Sequence, residues 1–242
     1  MNQLVQDDNV DNIILNGPEL PPIAKGHKRL FLVRHGEVIN PGGDKAVFYG
    51  ALDVPLSELG KDEARAAGAY LRQFDLQHVA ASPLSRAIFG AEEVIKRQWK
   101  DPSSKVKVYN GFTELDRGSW AMKTKEEIGI ENLKRFDACD ESITPDNGES
   151  YPQLKARVLM ARDELLSITD DGRASAIVSH LQVTRSMLSD ALRIPTEEMS
   201  KLKIATASIT CIDYNIATGE QTIHFQSFKP EAGLEKAMDG AN

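Results

Sequence analysis

The sequence predicts an α/β protein, a three-layer sandwich with a mostly parallel central sheet flanked by helices. Three observations carry this. Short, largely apolar runs of strand length, such as Leu30-Phe31-Leu32-Val33 and Ala174 to Val178, read as strands covered on both faces. Between them lie longer segments whose apolar residues recur every three to four positions, as on the inner face of a helix. Cap and turn signals separate the two kinds of segment. Strands that alternate with helices in this way build layered sheets whose ligands bind beyond the carboxyl ends of the strands.

Taken in order, Leu30–Val33 is the first strand. Ser57 can cap a helix with Leu59, Ala64, Ala67, Leu71 and Phe74 on its apolar face. His78–Ala81 is a short strand. Ser82-Pro83 then supplies a cap and a proline at the first helical position, opening a helix with Leu84, Ile88, Ala91 and Ile95 inward. Val106–Tyr109 alternates as a strand does. Ser150 with Gln153 forms a capping-box pattern before a helix bearing Leu154, Val158, Ala161, Leu165 and Ile168. After the Ala174–Val178 strand comes a helix near 182–193. Ser208–Tyr214 and Gln221–Phe228, split by Ala217-Thr218-Gly219, form a closing hairpin.

The ends read differently. Residues 1–28 hold Gly17-Pro18 and Pro21-Pro22 and show no sustained period, which predicts an extended arm dispensable up to about Gly26. Residues 29–229 form the domain, with a lid-like excursion near 111–150. Residues 230–242 form a tail in which Leu234 and Met238 could make one helical turn.

Composition narrows the function classes. The chain has 242 residues, 41% hydrophobic and 27% charged, enough for one globular domain. Its net charge of -7 argues against nucleic acid or an anionic membrane as partner, while its 29 Lys and Arg still allow a local positive pocket. Cys139 and Cys211 stand far apart without clustered His or Cys, so neither a disulfide framework nor a zinc site is expected. The acidic N-terminus lacks the marks of a secretory or transit segment, and no apolar run approaches the roughly 20 residues needed to span a bilayer. The expected location is the cytoplasm. A homodimer is a possible assembly.

Three predicted strands run into residues suited to phosphate. The first leads to Arg34-His35-Gly36-Glu37, the second to Ser82-Pro83-Leu84-Ser85-Arg86, and the 174–178 strand to Ser179-His180. Two arginines and two histidines therefore share one sheet edge. A guanidinium offers a planar fork of donors matched to phosphate oxygens, and Arg86 falls in a helix's first turn, where free N–H groups favour an anion.

These residues carry a resemblance. Arg34-His35-Gly36 resembles the R-H-G signature of the histidine phosphatase superfamily, the phosphoglycerate-mutase-like proteins. Tyr49-Gly50-Ala51-Leu52-Asp53-Val54-Pro55-Leu56-Ser57-Glu58-Leu59-Gly60 is similar to the family's G-x-x-D-x-P-L-S-x-x-G stretch. Ala81 to Ala87 resembles S-S-P-L-x-R-A. Glu114 to Trp120 resembles E-x-x-x-G-x-W, Gly148-Glu149-Ser150 resembles G-E-S, and Val178-Ser179-His180 resembles V-S-H. Order and spacing agree from about residue 30 to residue 214.

The resemblance implies that His35 is a nucleophile that becomes a phosphohistidine, with Arg34, Arg86 and His180 on the phosphoryl oxygens and His180 protonated for that task. Glu114 is the implied proton donor, with Glu37 as the rival carboxyl. Asn40 stands near the place of the family's phosphate-contacting Asn, one position early. Tyr49 and Gly50 could meet the substrate through backbone N–H groups. Leu181 replaces the Gly that often follows the second His, and its side chain must narrow the pocket or turn away. No metal and no cofactor is implied. The mutases carry a Tyr, a Lys and an Arg-Arg pair after the acid Glu. Residues 111–150 hold no Arg-Arg pair and offer Arg117, Lys123, Lys125, Lys134 and Arg135 instead, which favours hydrolysis of a small phosphorylated substrate. A mutase, a protein-directed phosphatase and a phospho-recognition module are the alternatives.

Overall fold

The computed structural model describes residues 17–98 and 105–230. Six strands form one sheet in the order β3-β2-β4-β1-β5-β6. They are β1 (His27–Arg34), β2 (Leu76–Ala81), β3 (Lys107–Val108), β4 (Ala174–Ser179), β5 (Ile209–Asn215) and β6 (Gln221–Phe228). β1 to β4 run parallel, while β5 and β6 add an antiparallel hairpin beside β1. The sheet is mostly parallel, as expected from the buried apolar runs.

Alternation along β1 divides the protein into two cores. Leu30 and Leu32 face a layer built from α5 (Tyr151–Ile168) and α6 (Leu181–Ala191), joined by Phe112, Trp120 and Phe136 of the 111–150 excursion. Phe31 and Val33 face α1 (Glu58–Leu71) and α2 (Ser85–Gln98) through Ala67, Tyr70, Leu71, Ala87, Ala91 and Val94. Leu30, Phe31 and Leu32 are wholly buried. Each such side chain contributes about 1.5–3 kcal/mol, so β1 is the spine on which both layers close.

Local signals place the helix starts. Ser57 caps α1 by accepting the Gly60 N–H, and Ser150 with Gln153 closes the capping box of α5. The cap expected at Ser82 is not the one used. α2 begins at Ser85, whose N–H and hydroxyl both donate to Asp53 Oδ1, at 2.8 and 2.7 Å. Asp53 lies on the loop before α1, so the cap of α2 is supplied from a distant segment and Ser82 is freed for another contact. The strand expected over 106–109 shrinks to Lys107–Val108.

The excursion is helical in part, which the sequence reading left unassigned. It carries α3 (Lys125–Ile128), with a Thr124–Glu127 capping box, and α4 (Ile130–Asp137). Residues 17–28, read as part of the extended arm, make specific contacts. His27 and Lys28 belong to β1, Leu20 and Ile23 pack against the α1–α2 core, and the Tyr70 hydroxyl donates to Pro18 O at 3.3 Å. Residues 1–16, and Leu234 and Met238 of the tail, lie outside the described residues. Among the described residues no helix is long and apolar enough to cross a membrane.

Candidate active site

The parallel register brings three strand ends to one line. Arg34 pairs with Ser179 across β1 and β4, and Ala81 pairs with Val178 across β2 and β4. The His35 N–H extends the ladder to Ser179 O at 2.9 Å, and the Ser82 N–H to Val178 O at 3.1 Å. His35, Ser82 and His180 therefore leave the sheet together. The rings of His35 and His180 lie 5.2 Å apart between centroids, at 62° to each other.

The chain turns sharply after His35. A side chain at Gly36 would collide with the backbone of Gly60, and one at Gly60 with Glu37 O. This close approach lets the loop fold over the start of α1. His35 Nδ1 lies 2.6 Å from Gly36 O. A carbonyl can only accept, so Nδ1 carries the hydrogen and Nε2 keeps its lone pair. Burial, followed by the charges of Arg86 and Arg34, pushes the His35 pKa down to about 3, against the raising effect of the Gly36 carbonyl. The imidazole is neutral across the physiological range.

Both arginines are anchored by carbonyls. Arg34 Nη1 donates to Ile204 O at 2.6 Å. Arg86 Nη1 and Nη2 donate to Leu52 O and Gly50 O, at 2.7 and 2.8 Å, and its guanidinium lies 5.4 Å from the Tyr49 ring centre. Neither forms an ion pair with a carboxylate among the described residues, and the Nε of each is buried without a hydrogen-bond partner there. Burial lowers the pKa of both, yet a guanidinium stays charged in proteins.

His180 is wholly buried, with Nε2 2.7 Å from Ser82 Oγ. Protonation of His180 is expected with a phosphate beside it, whose charge would raise its pKa; the groups that the protein itself supplies act the other way. Burial first, then His35, Arg86, Arg34 and Arg157, drive its pKa well below the ordinary value, so the ring is neutral.

Glu114 follows β3 and a 3₁₀ turn over Asn110–Phe112 and is 8% exposed. Its oxygens accept the Leu115 N–H at 2.7 Å and the Gln182 N–H at 3.2 Å, which fixes the carboxylate at the start of α6, two residues beyond His180. Glu37 is exposed, and its Oε1 accepts the Ser57 hydroxyl at 2.7 Å.

The remaining candidates fall at differing places. Tyr49 flanks Arg86, and burial raises its pKa. Gly50, at φ 45°, offers Arg86 its carbonyl. Leu181 is the first residue of α6. Asn40 is not brought to the histidines by any contact. It is exposed, and its amide closes the 40–45 loop on Gly43 O and Lys45 O.

The sequence reading missed three supporting residues. Asp53 lay inside a quoted stretch but was not singled out, and Ser82 was read only as a helix cap, not as a partner of His180. Arg157 gave no signal, since it acts across 43 to 46 residues. It donates to the carbonyls of Gly111, Thr113 and Glu114, and pairs with Glu149, which fastens the Glu114 loop to α5. A cavity of about 290 Å³ opens beside this fastening and touches the site only through Glu114.

The sequence and the fold resemble those of known proteins. A bifunctional protein of Mycobacterium tuberculosis is 29% identical over 189 residues, covering 77% of this chain and 50% of that protein. The chain thus spans about half the length of the first curated relatives it matches. A probable phosphoglycerate mutase of Erwinia tasmaniensis is 26% identical over 190 residues, covering 77% of this chain and 85% of the relative. Among solved structures, the α-ribazole phosphatase of Shigella flexneri superposes with a TM-score of 0.68 at 25% identity, over 84% of this chain and 97% of the other. A mycobacterial glucosyl-3-phosphoglycerate phosphatase shares the fold with a TM-score of 0.70 at 24% identity, over 84% and 99%. The profile of one family matches residues 30–224, a span that takes in both histidines, both arginines and Glu114, and on that match the chain belongs to the histidine phosphatase superfamily, branch 1.

Proposed function

We propose that this chain is a phosphomonoester hydrolase that acts through a phosphohistidine on His35, without a metal, on a small phosphorylated metabolite. The observation that carries the reading is the state of His35. It is a buried, neutral imidazole whose Nδ1 is held by Gly36 O, with no partner on Nε2 among the described residues, beside two guanidiniums that form no direct ion pair there.

In the first step the Nε2 lone pair attacks phosphorus and the P–O ester bond breaks. The leaving alkoxide takes a proton from the acid form of Glu114. In the second step water attacks the phosphoryl group and loses a proton to the Glu114 carboxylate. The N–P bond breaks, His35 returns neutral, and inorganic phosphate leaves. Arg34 and Arg86 face the charge that spreads over the phosphoryl oxygens, which is where most of the catalysis of phosphoryl transfer resides. Glu114 is favoured over Glu37 as the proton donor because it is buried beside His180, while Glu37 is exposed on the Ser57 hydroxyl.

Two features support hydrolysis of a small ester. His35, His180 and Glu114 are all at most 8% exposed, which suits a small substrate better than a protein surface. Both arginines of the excursion are engaged within it or on neighbouring rings: Arg117 stacks on Phe48 and Phe136, and Arg135 bonds Asp140 and Ser142. The segment holds no Arg-Arg clamp of the mutase kind. The test is a panel of phosphorylated metabolites scored for released phosphate, with His35→Ala alongside. Turnover on none of them, or turnover that survives His35→Ala, would sink the proposal.

A further inference from the structure

His180 poses a problem that its surroundings answer. It must give a hydrogen bond to a phosphoryl oxygen, yet everything packed against it disfavours a positive ring. His35 stands 5.2 Å away at the end of β1, Arg34 precedes it, Arg86 enters from α2, and Arg157 adds its charge from α5. Glu114, near the start of α6, is the carboxylate on that side, and it is held by the N–H groups of Leu115 and Gln182.

Ser82 supplies the answer. Its hydroxyl lies 2.7 Å from His180 Nε2, and both residues are fully buried. Ser82 Oγ also accepts the Leu84 N–H at 3.3 Å. A hydroxyl has one hydrogen to give. Among the described residues, the only acceptor within reach of that hydrogen is His180 Nε2. If the ring were an imidazolium, Nε2–H would point into Ser82 Oγ, and the serine hydrogen would be buried without an acceptor. If the ring is neutral and Nε2 accepts from Ser82, the ring hydrogen sits on Nδ1. That is the His180 nitrogen that is buried and has no partner among the described residues.

We propose that Ser82 is a positioning residue that fixes His180 as the Nδ1–H tautomer, so that His180 serves the phosphoryl group as a neutral hydrogen-bond donor. The proposal rests on the reading of this edge as a phosphoryl-transfer site. The two histidines then hold complementary forms of one ring. Each carries its hydrogen on Nδ1. In His35 a carbonyl takes that hydrogen and Nε2 is left as nucleophile, whereas in His180 a hydroxyl fills Nε2 and Nδ1–H is left as donor.

The test uses the full chain with ¹⁵N-labelled histidine. The five histidines give a spectrum simple enough to read, and His180→Gln identifies the signal. Long-range proton–nitrogen correlations at neutral pH, with and without inorganic phosphate, should show His180 with a protonated Nδ1 and an unprotonated Nε2. In Ser82→Ala this pattern should move to Nε2–H or to a mixture, and phosphate affinity should fall about tenfold. Ser82→Thr, which keeps the hydroxyl, should restore both. A doubly protonated His180 in the phosphate-bound wild type would overturn the proposal, as would an Nε2–H tautomer. So would Ser82→Ala that folds normally with tautomer and affinity unchanged. The wild-type spectrum decides even if a variant fails to fold. Because the spectrum needs no turnover, an Nδ1–H signal together with failure to trap phosphate on His35 would sink the hydrolase reading alone.

Discussion

Replacing Glu114 with Gln separates proton transfer from structure, provided two substrates are compared. In the wild type both carboxylate oxygens accept backbone N–H groups, from Leu115 and Gln182. Gln keeps one oxygen and must turn its NH₂ toward the other donor. The side chain is buried, so that mismatch should lower stability by about 1–3 kcal/mol, visible in the thermal midpoint. It should also weaken all substrates alike, because it disturbs the start of α6 beside His180. Loss of the proton, in contrast, falls on the leaving group. An alkoxide is a poor leaving group without it, while a nitrophenolate departs unaided. General acid catalysis is worth about 10²–10⁴ in rate. The ratio of kcat/KM for an alkyl phosphate to that for p-nitrophenyl phosphate should therefore fall at least ~10-fold in Glu114→Gln, with the structural loss cancelling in the ratio. Acid-labile phosphate trapped on His35 from the aryl ester should persist longer, since the same carboxyl deprotonates the attacking water. Equal losses on both substrates, with normal decay of the trapped phosphate, would refute the assignment, and Glu37 would be tested next.

Other outcomes follow from the same coordinates. The His35 pKa near 3 lies below its unfolded value of about 6.5, so the unfolded chain binds more protons and stability is lost as pH falls from 6.5 toward 3. The full loss is about 5 kcal/mol, an upper figure because water entering the site would solvate the charge. Urea midpoints at neutral and acid pH measure it, and His35→Gln should flatten the slope. Deletion through Gly26, harmless by the sequence reading, should instead cost about 1–3 kcal/mol, because Leu20 and Ile23 would leave the core; an unchanged melting curve would restore the original expectation. Activity should be indifferent to chelator, since among the described residues no group of three His, Cys, Asp or Glu could hold a metal. Loss of activity in chelator, reversed by magnesium or zinc, would contradict the mechanism.

What could be seen in the sequence was whatever is written locally. Buried apolar runs marked β1 and β4, and caps at Ser57 and Ser150 marked α1 and α5, because each signal lies within a few residues of its effect. Arg34, His35, Arg86 and His180 were found because each follows a strand, and parallel register then gathers strand ends without further instruction. The misses are contacts between distant segments. Asp53 took over the cap of α2 across 32 residues, and Arg157 reaches the Glu114 loop across 43. Asn40 was taken up for its place after Arg34-His35-Gly36. It is exposed, and beside Gly42 and Gly43 its side chain closes its own turn. The α3 capping box at Thr124 and Glu127 was local and legible, but it lay in a segment read only for its charges.

The placement of charge gives a chain of net charge -7 a locally positive sheet edge, as the proposed phosphate site requires. Several buried or half-buried arginines are paired with carboxylates: Arg29 with Asp213, Arg97 with Glu93, Arg157 with Glu149, and Arg162 with Asp163 and Asp190. The two at the sheet edge are held differently. Arg34 and Arg86 are oriented by the carbonyls of Ile204, Leu52 and Gly50, which fix a guanidinium through hydrogen bonds but carry no net charge to cancel it. A carboxylate in their place would compete directly with phosphate. Burial first, and then this positive charge, keeps both histidines neutral, the state that the proposed attack by His35 and donation by His180 require. Introducing an acidic side chain beside either arginine should therefore weaken phosphate binding and raise the His35 pKa together, two effects with one electrostatic cause.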